Sequence, residues 1–248
     1  MRRAWLAVAS IALMLPVAPS ASAGPIYRLR WNIPVPQVET GPVEITTKQE
    51  LLRLPLAPPA LFETPADVVD TEGRTLVPGG MQLVGMVSDA AIACTIHKLA
   101  KKGADAALFL GSLKRICLVD EDRDGQYDGY FVRATNAPAY FLLRGRLGAW
   151  QPIRKARLLS IAPERIIDPP RVALFASASP GKWVELWANA GNDRDPFPLR
   201  GGKRFNAAQL PADFPLYGGH VILAANKTGT FTATLKGPFE AELLDFWD

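Results

Sequence analysis

Histidine and cysteine are scarce in this 248-residue chain, with two of each. So few imidazoles leave little room for histidine-based acid–base catalysis or a multi-histidine metal site. Beyond the first 23 residues no stretch approaches 18 apolar residues, so nothing later reads as a membrane-spanning helix. No G-x-S-x-G elbow occurs, since Ser177 and Ser179 lie in the turn-like ASASPG. Lys227 and Thr228 follow an apolar strand with no glycine-rich loop before them, which excludes a phosphate loop. Acids are missing from 129–163 altogether, and internal repeats are absent.

The N-terminus carries an address. Arg2 and Arg3, an apolar run from Trp5 to Leu15 and the small-residue Ala21-Ser22-Ala23 have the layout of an export signal over 1–23. Periplasmic or secreted protein is the expected localisation, with Gly24 starting the mature chain and no cysteine there to suggest a lipoprotein. The formal net charge of +4 falls to +2 without Arg2 and Arg3, which gives no support for nucleic acid as a partner.

Twenty-two prolines and apolar residues in short runs point to strands and loops. The expected fold class is mostly β: a single antiparallel sandwich or barrel-like domain over 80–248, with an extended proline-rich arm over 24–79 packing on it. An outer-membrane barrel is disfavoured by the proline load. In the arm, Tyr27, Leu29, Trp31 and Ile33 alternate with polar residues, the pattern of a half-buried strand. Phe231, Ala233 and Leu235 alternate with threonines in the same way near the C-terminus. Residues 97–109 suit either a short helix or a hairpin. The stretch 189–219 reads as loop with a turn of helix near Ala207, and 239–247 as a last strand.

Spacing speaks of chemistry most clearly at 117–131, CLVDEDRDGQYDGYF. Asp120, Asp122, Asp124 and Asp128 fall at positions 1, 3, 5 and 9 of a loop, with Gly125 at position 6 and the carbonyl of Gln126 at position 7. Alternate residues of a tight loop can turn several carboxylates towards one hard cation, and calcium takes six to eight oxygens. The pattern resembles the DxDxDGxxD calcium loops of integrin-type propeller blades, thrombospondin repeats and dockerin or EF-hand modules, over about a dozen residues. It departs from the EF-hand at position 12, where Phe131 replaces the bidentate glutamate, and its flanks read as strands. The resemblance implies weak, structural Ca2+ binding with a dissociation constant of about 10⁻⁴–10⁻³ M. The other reading is an acidic turn held by Asx-type bonds without metal.

Cys94 and Cys117 read as a disulfide in an exported protein. Cys94 and His97 also have C-x-x-H spacing that His220 could complete as a zinc site, and free thiols are the third alternative. Arg133, Arg144, Arg146, Arg154, Lys155 and Arg157 fill the acid-free stretch. They read as solvated strand faces, as a surface for an anionic envelope polymer or lipid headgroup, or as neutralising partners of the acidic loop. The functional expectation is an exported, calcium-stabilised β protein with a binding or structural role in the cell envelope. The alternative is a cell-envelope hydrolase with dispersed residues, for which Glu164 with Asp168, or Glu240 with Glu242, are candidate pairs. A flat basic or aromatic face favours binding; a pocket with convergent carboxylates or His220 favours the hydrolase.

Overall fold

The computed structural model describes residues 24–37, 39–96, 113–135, 143–191, 196–198, 202–241 and 244. Short apolar runs broken by proline and glycine cannot sustain the 3.6-residue stripe of a helix. Among the described residues there are accordingly twenty strands and only two single turns of 3-10 helix, Pro163–Arg165 and Ala207–Gln209. The first strands are β1 (Ile26–Arg28), β2 (Thr40–Glu44), β3 (Gln49–Pro55), β4 (Leu61–Glu63), β5 (Val68–Val69), β6 (Thr75–Val77) and β7 (Gln82–Gly85). The middle of the chain adds β8 (Ala91–Thr95), β9 (Leu113–Asp120), β10 (Tyr127–Thr135), β11 (Arg144–Arg146), β12 (Gln151–Ala156) and β13 (Leu159–Ile161). The rest are β14 (Arg171–Ser179), β15 (Trp183–Gly191), β16 (Pro196–Pro198), β17 (Lys203–Asn206), β18 (Ala212–Leu216), β19 (Gly219–Ala225) and β20 (Phe231–Lys236).

These strands form antiparallel sheets, and none closes into a barrel. The largest runs β12-β10-β9-β8-β7-β4-β13. A five-stranded sheet runs β16-β15-β14-β3 with β17 also on β15, and a four-stranded one runs β18-β19-β20-β2. Two-stranded ribbons pair β1 with β11 and β5 with β6. Pro42, Pro55, Pro152 and Pro215 all sit on edge strands, where a missing N–H disturbs no ladder.

The main core joins the three larger sheets through Leu54, Val84, Ile92, Val119, Leu174, Leu186, Val221 and Phe231. The seven-stranded sheet is covered on both faces. Val84, Cys94, Cys117 and Val119 face the main core, whereas Leu83, Ala93, Ile116 and Leu118 face a second core with Val68, Val77 and Ile153. Double coverage is why these strands read as continuous apolar runs rather than alternating ones.

Residues 24–79 supply strands to the sheets. β3 pairs with β14, and β4 lies between β7 and β13. Tyr27, Leu29, Trp31 and Ile33 are all buried, as are Phe231, Ala233 and Leu235. Full burial of each Leu, Ile or Phe side chain among them stabilises the fold by about 1.5–3 kcal/mol. The arm is also stitched by its backbone, with Leu29 N–H donating to Leu143, Trp31 N–H to Leu244 and Ile45 N–H to Phe231.

Two expectations need correcting. The stretch 189–219 contains β16, β17 and β18 as well as the expected turn near Ala207; these short edge strands are hidden among glycine and proline. Among the described residues of 239–247, Phe239 and Leu244 make only isolated bridges, to Gln37 and Trp31, and no strand. Residues 97–109 lie outside the described residues.

The β5–β6 hairpin covers the second core and is tied by Asp70. Its Oδ1 accepts the backbone N–H groups of Glu72 (3.0 Å) and Arg74 (2.8 Å), and its Oδ2 accepts Arg74 Nε at 2.6 Å. Burial works to raise this carboxyl's pKa, but the hydrogen bonds and the Arg74 charge outweigh it and hold the pKa below the usual range. An acid with a lowered folded pKa contributes stability above its unfolded pKa, and that contribution is lost as pH falls through the folded value. Asp70→Asn should therefore lower the melting temperature at neutral pH, and the difference should shrink to nothing in melts run at progressively more acidic pH.

Candidate metal centre

β9 and β10 form a hairpin connected by residues 121–126. Asp120 ends β9, and its alternation with Ile116 and Leu118 places it on the face of the second core, where it is buried. Gly129 pairs with Val119, and the same register carried one residue further sets Asp128 opposite Asp120. Gly125 turns the loop at φ +83°, a conformation that costs a residue with a Cβ about 1–2 kcal/mol. Nothing lies within 4 Å of where that Cβ would stand, so Gly125→Ala should lower stability through backbone strain alone. Gly125→Asn should cost less, because asparagine tolerates this region better.

The loop closes on its own carboxylates. Asp120 accepts Asp124 N–H on Oδ1 (3.2 Å) and Gly125 N–H on Oδ2 (2.9 Å). Asp122 Oδ1 also accepts Asp124 N–H at 3.2 Å, and Asp124 Oδ1 accepts Gln126 N–H at 2.7 Å. One carboxylate oxygen from each of Asp120, Asp122 and Asp124 lies within 4.8 Å of the other two, and the three could hold a metal ion. Asp128 stands outside that group, half-buried on β10. Its Oδ1 is buried and, among the described residues, has no hydrogen-bond partner. Gln126 gives its side-chain amide to Asp124 Oδ2 at 3.2 Å.

The electrostatics are those of crowded carboxylates. Burial raises the pKa of Asp120, and hydrogen-bonded Asp122 and the charge of Asp124 add to the rise, against the amides of Gly125 and Arg123. Asp124 is lowered instead, first by the Gln126 N–H and then, against some burial, by Lys155. Lys155 Nζ lies 3.2 Å from Asp124 Oδ2, and that contact raises the lysine pKa. Burial pushes the neighbouring Tyr127 phenol up to about 12, with Asp120 contributing, so it stays neutral. Asx-type bonds and clustered oxygens are both present, so the geometry fits either reading of the loop. The bonds to backbone amides preshape the oxygens.

The basic stretch does not form one surface. Lys155 serves the acidic loop. Arg154 is on the same strand, with its guanidinium beside Gly73 of the β5–β6 hairpin. Arg157 is exposed just past β12. Arg144 and Arg146 belong to a different sheet, on β11, opposite Arg28 and Ile26 of β1. Arg133 joins them by donating from Nη2 to the Arg144 carbonyl at 3.4 Å. Sequence reasoning missed Arg28, whose place in this group follows only from the β1–β11 register.

Cys94 and Cys117 face each other across β8 and β9 and are bonded, with Cα atoms 4.0 Å apart, just under the usual range of about 4.4–6.8 Å. That bond removes both sulfurs from any zinc site. His97 lies outside the described residues, and His220 pairs on the surface with Asp213, Nδ1 to Oδ1, at 2.8 Å. Phe131, at the twelfth loop position, turns to the main core with its ring 5.3 Å from that of Tyr27.

Fold and site together define an all-β, disulfide-containing protein with an acidic hairpin loop able to hold a cation. Compared with protein-family models, with curated proteins and with solved structures, the chain matches none. Among the described residues no helix is long and apolar enough to cross a membrane.

Proposed function

We propose that this is an exported β protein, stabilised by calcium at the β9–β10 loop, with a binding role in the cell envelope. The observation that carries the calcium reading is the convergence of Asp120, Asp122 and Asp124 oxygens within 4.8 Å, with Asp128, whose buried Oδ1 has no hydrogen-bond partner among the described residues, opposite Asp120 in the register. Like charges opposite each other on paired strands repel, and a dication reverses that penalty. The ligand set is carboxylate oxygen without nitrogen or sulfur, which suits calcium rather than a transition metal. Export is supported by the layout of residues 1–23 and by a disulfide, which persists in oxidising compartments.

The binding role rests on the arginines of β1 and β11. Arg28 lies opposite Arg144, Arg146 lies opposite the exposed Ile26, and Arg133 reaches the Arg144 carbonyl. Such a surface attracts an anionic envelope polymer or headgroup. The calcium reading is tested by titrating metal-free protein with calcium in a calorimeter, alongside Asp124→Ala. Saturable heat in the wild type and none in the variant is the expected result; heat that survives in the variant, or no heat in the wild type, removes the reading.

A further inference from the structure

The outer face of the five-stranded sheet carries a second feature that shares no residue with the loop or the arginines. Along β14 and β15, Val172, Leu174, Ala176, Val184 and Leu186 are buried towards the core. Alternation therefore turns Ala173, Phe175, Ser177, Trp183, Glu185, Trp187 and Asn189 to the opposite face. Phe175 lies directly across from Trp187 in the register. Their ring centroids are 5.8 Å apart and their planes 16° from parallel. Ring carbons in contact sit about 3.5–4.0 Å apart, so a separation this wide means that neither ring fully covers the other, and both residues are half-buried. Neither ring belongs to the main core or to the partly buried side chains packed against it.

Two ion pairs flank these rings. On one side Arg53 holds Glu50 through Nε (2.9 Å) and Nη2 (2.6 Å), and Glu50 is opposite Phe175. On the other, Arg204 holds Glu185 at 2.8 Å, and its guanidinium lies 4.4 Å from the centroid of Trp183. Arg53 and Arg204 are each paired with a carboxylate, which weakens the field that this part of the face offers to a nucleic acid or an anionic lipid. Three half-buried rings, each able to bury about 150–250 Å² in full, also fall short of the roughly 800 Å² a stable protein partner covers. The chemistry that fits is a neutral ring with an apolar C–H face and a rim of hydroxyls. The aromatic faces take the C–H face, and planar carboxylate, guanidinium and amide groups of Glu50, Arg53, Glu185 and Asn189 take the hydroxyls.

We infer that this face binds an uncharged, flat, β-1,4-linked glycan, stacked on Phe175 and Trp187. A ribbon-like chain matches a face built from extended antiparallel strands. This inference stands apart from the calcium reading and fails or holds without it.

The test is a titration of the purified chain, followed by tryptophan fluorescence, with chitohexaose, cellohexaose and α-linked maltohexaose. The expected result is a saturable change with chitohexaose or cellohexaose, weakened about tenfold or more by Trp187→Ala. Phe175→Leu keeps the apolar bulk and the strand but removes the flat ring, and should weaken binding as well even if the tryptophan variant folds poorly. Arg144→Ala with Arg146→Ala should leave binding unchanged. The inference is overturned by the absence of a saturable change with both β-linked sugars. Equal or tighter binding of maltohexaose overturns it too, as does a Phe175→Leu variant of wild-type affinity. Binding lost in the arginine variant but kept in Trp187→Ala assigns the ligand to the other surface and also overturns it.

Discussion

Replacing Cys94 and Cys117 together with alanine should lower the melting temperature by roughly 7–14 °C, the larger of the two stability effects argued here. The bond joins residues 23 apart in sequence. Closing such a loop removes about 3.5 kcal/mol of entropy from the unfolded chain on the chain-entropy model. For a domain of this size each kcal/mol moves the midpoint by about 2–4 °C. Both cysteines are fully buried between β8 and β9, at the centre of the seven-stranded sheet. A reductant reaches a buried bond only after opening, so dithiothreitol should leave the native protein oxidised for as long as it stays folded. Thiol counting with and without denaturant, run beside the melts, checks both statements. A double variant that melts with the wild type would mean the sheet alone holds this region.

Calcium should raise the melting temperature by about 5–10 °C relative to EDTA. A ligand that binds only the folded state stabilises it by RT ln(1 + [L]/Kd). At about 10 mM calcium and a dissociation constant near 10⁻⁴ M, this comes to about 2.7 kcal/mol. Weak affinity is the consistent expectation, because Phe131 faces the core and cannot supply the twelfth ligand. Magnesium should do much less, since it demands tighter octahedral geometry. Asp122→Asn separates the metal from the turn. The burial and neighbouring acids that raise Asp120 mean its ionisation costs stability in metal-free protein as pH rises through its folded pKa. Removing the Asp122 charge relieves part of that cost while keeping an oxygen for the Asp124 N–H. In EDTA the variant should melt at or above the wild type, and in calcium below it. If the order is the same in both buffers, the loop is an acidic turn and the calcium reading falls.

Much of this was legible in local pattern. The alternation of Tyr27, Leu29, Trp31 and Ile33 has period two because one face of an extended chain meets the core, and the structure buries all four. The spacing of Asp120, Asp122 and Asp124 is equally local, since neighbours in a tight loop converge whatever the rest of the fold does. β17 and β18 were hidden because short edge strands need only one apolar side and tolerate proline. Asp128 was placed with the loop by spacing, yet it belongs to a strand, and the ladder rather than the turn sets its position.

The sequence by itself determined that the chain is β and that a carboxylate loop interrupts its middle. Each of these depends on residue type and short spacing. Only the tertiary structure decided which partners meet. Lys155 reaches Asp124 across 31 residues because β12 pairs with β10. Arg28 meets Arg144 because β1 pairs with β11. Phe175 meets Trp187, and the opposite faces of their two strands are buried, because the five-stranded sheet lies on the main core. Register between distant strands is fixed by which faces can be buried together, and that is a property of the assembled sheets.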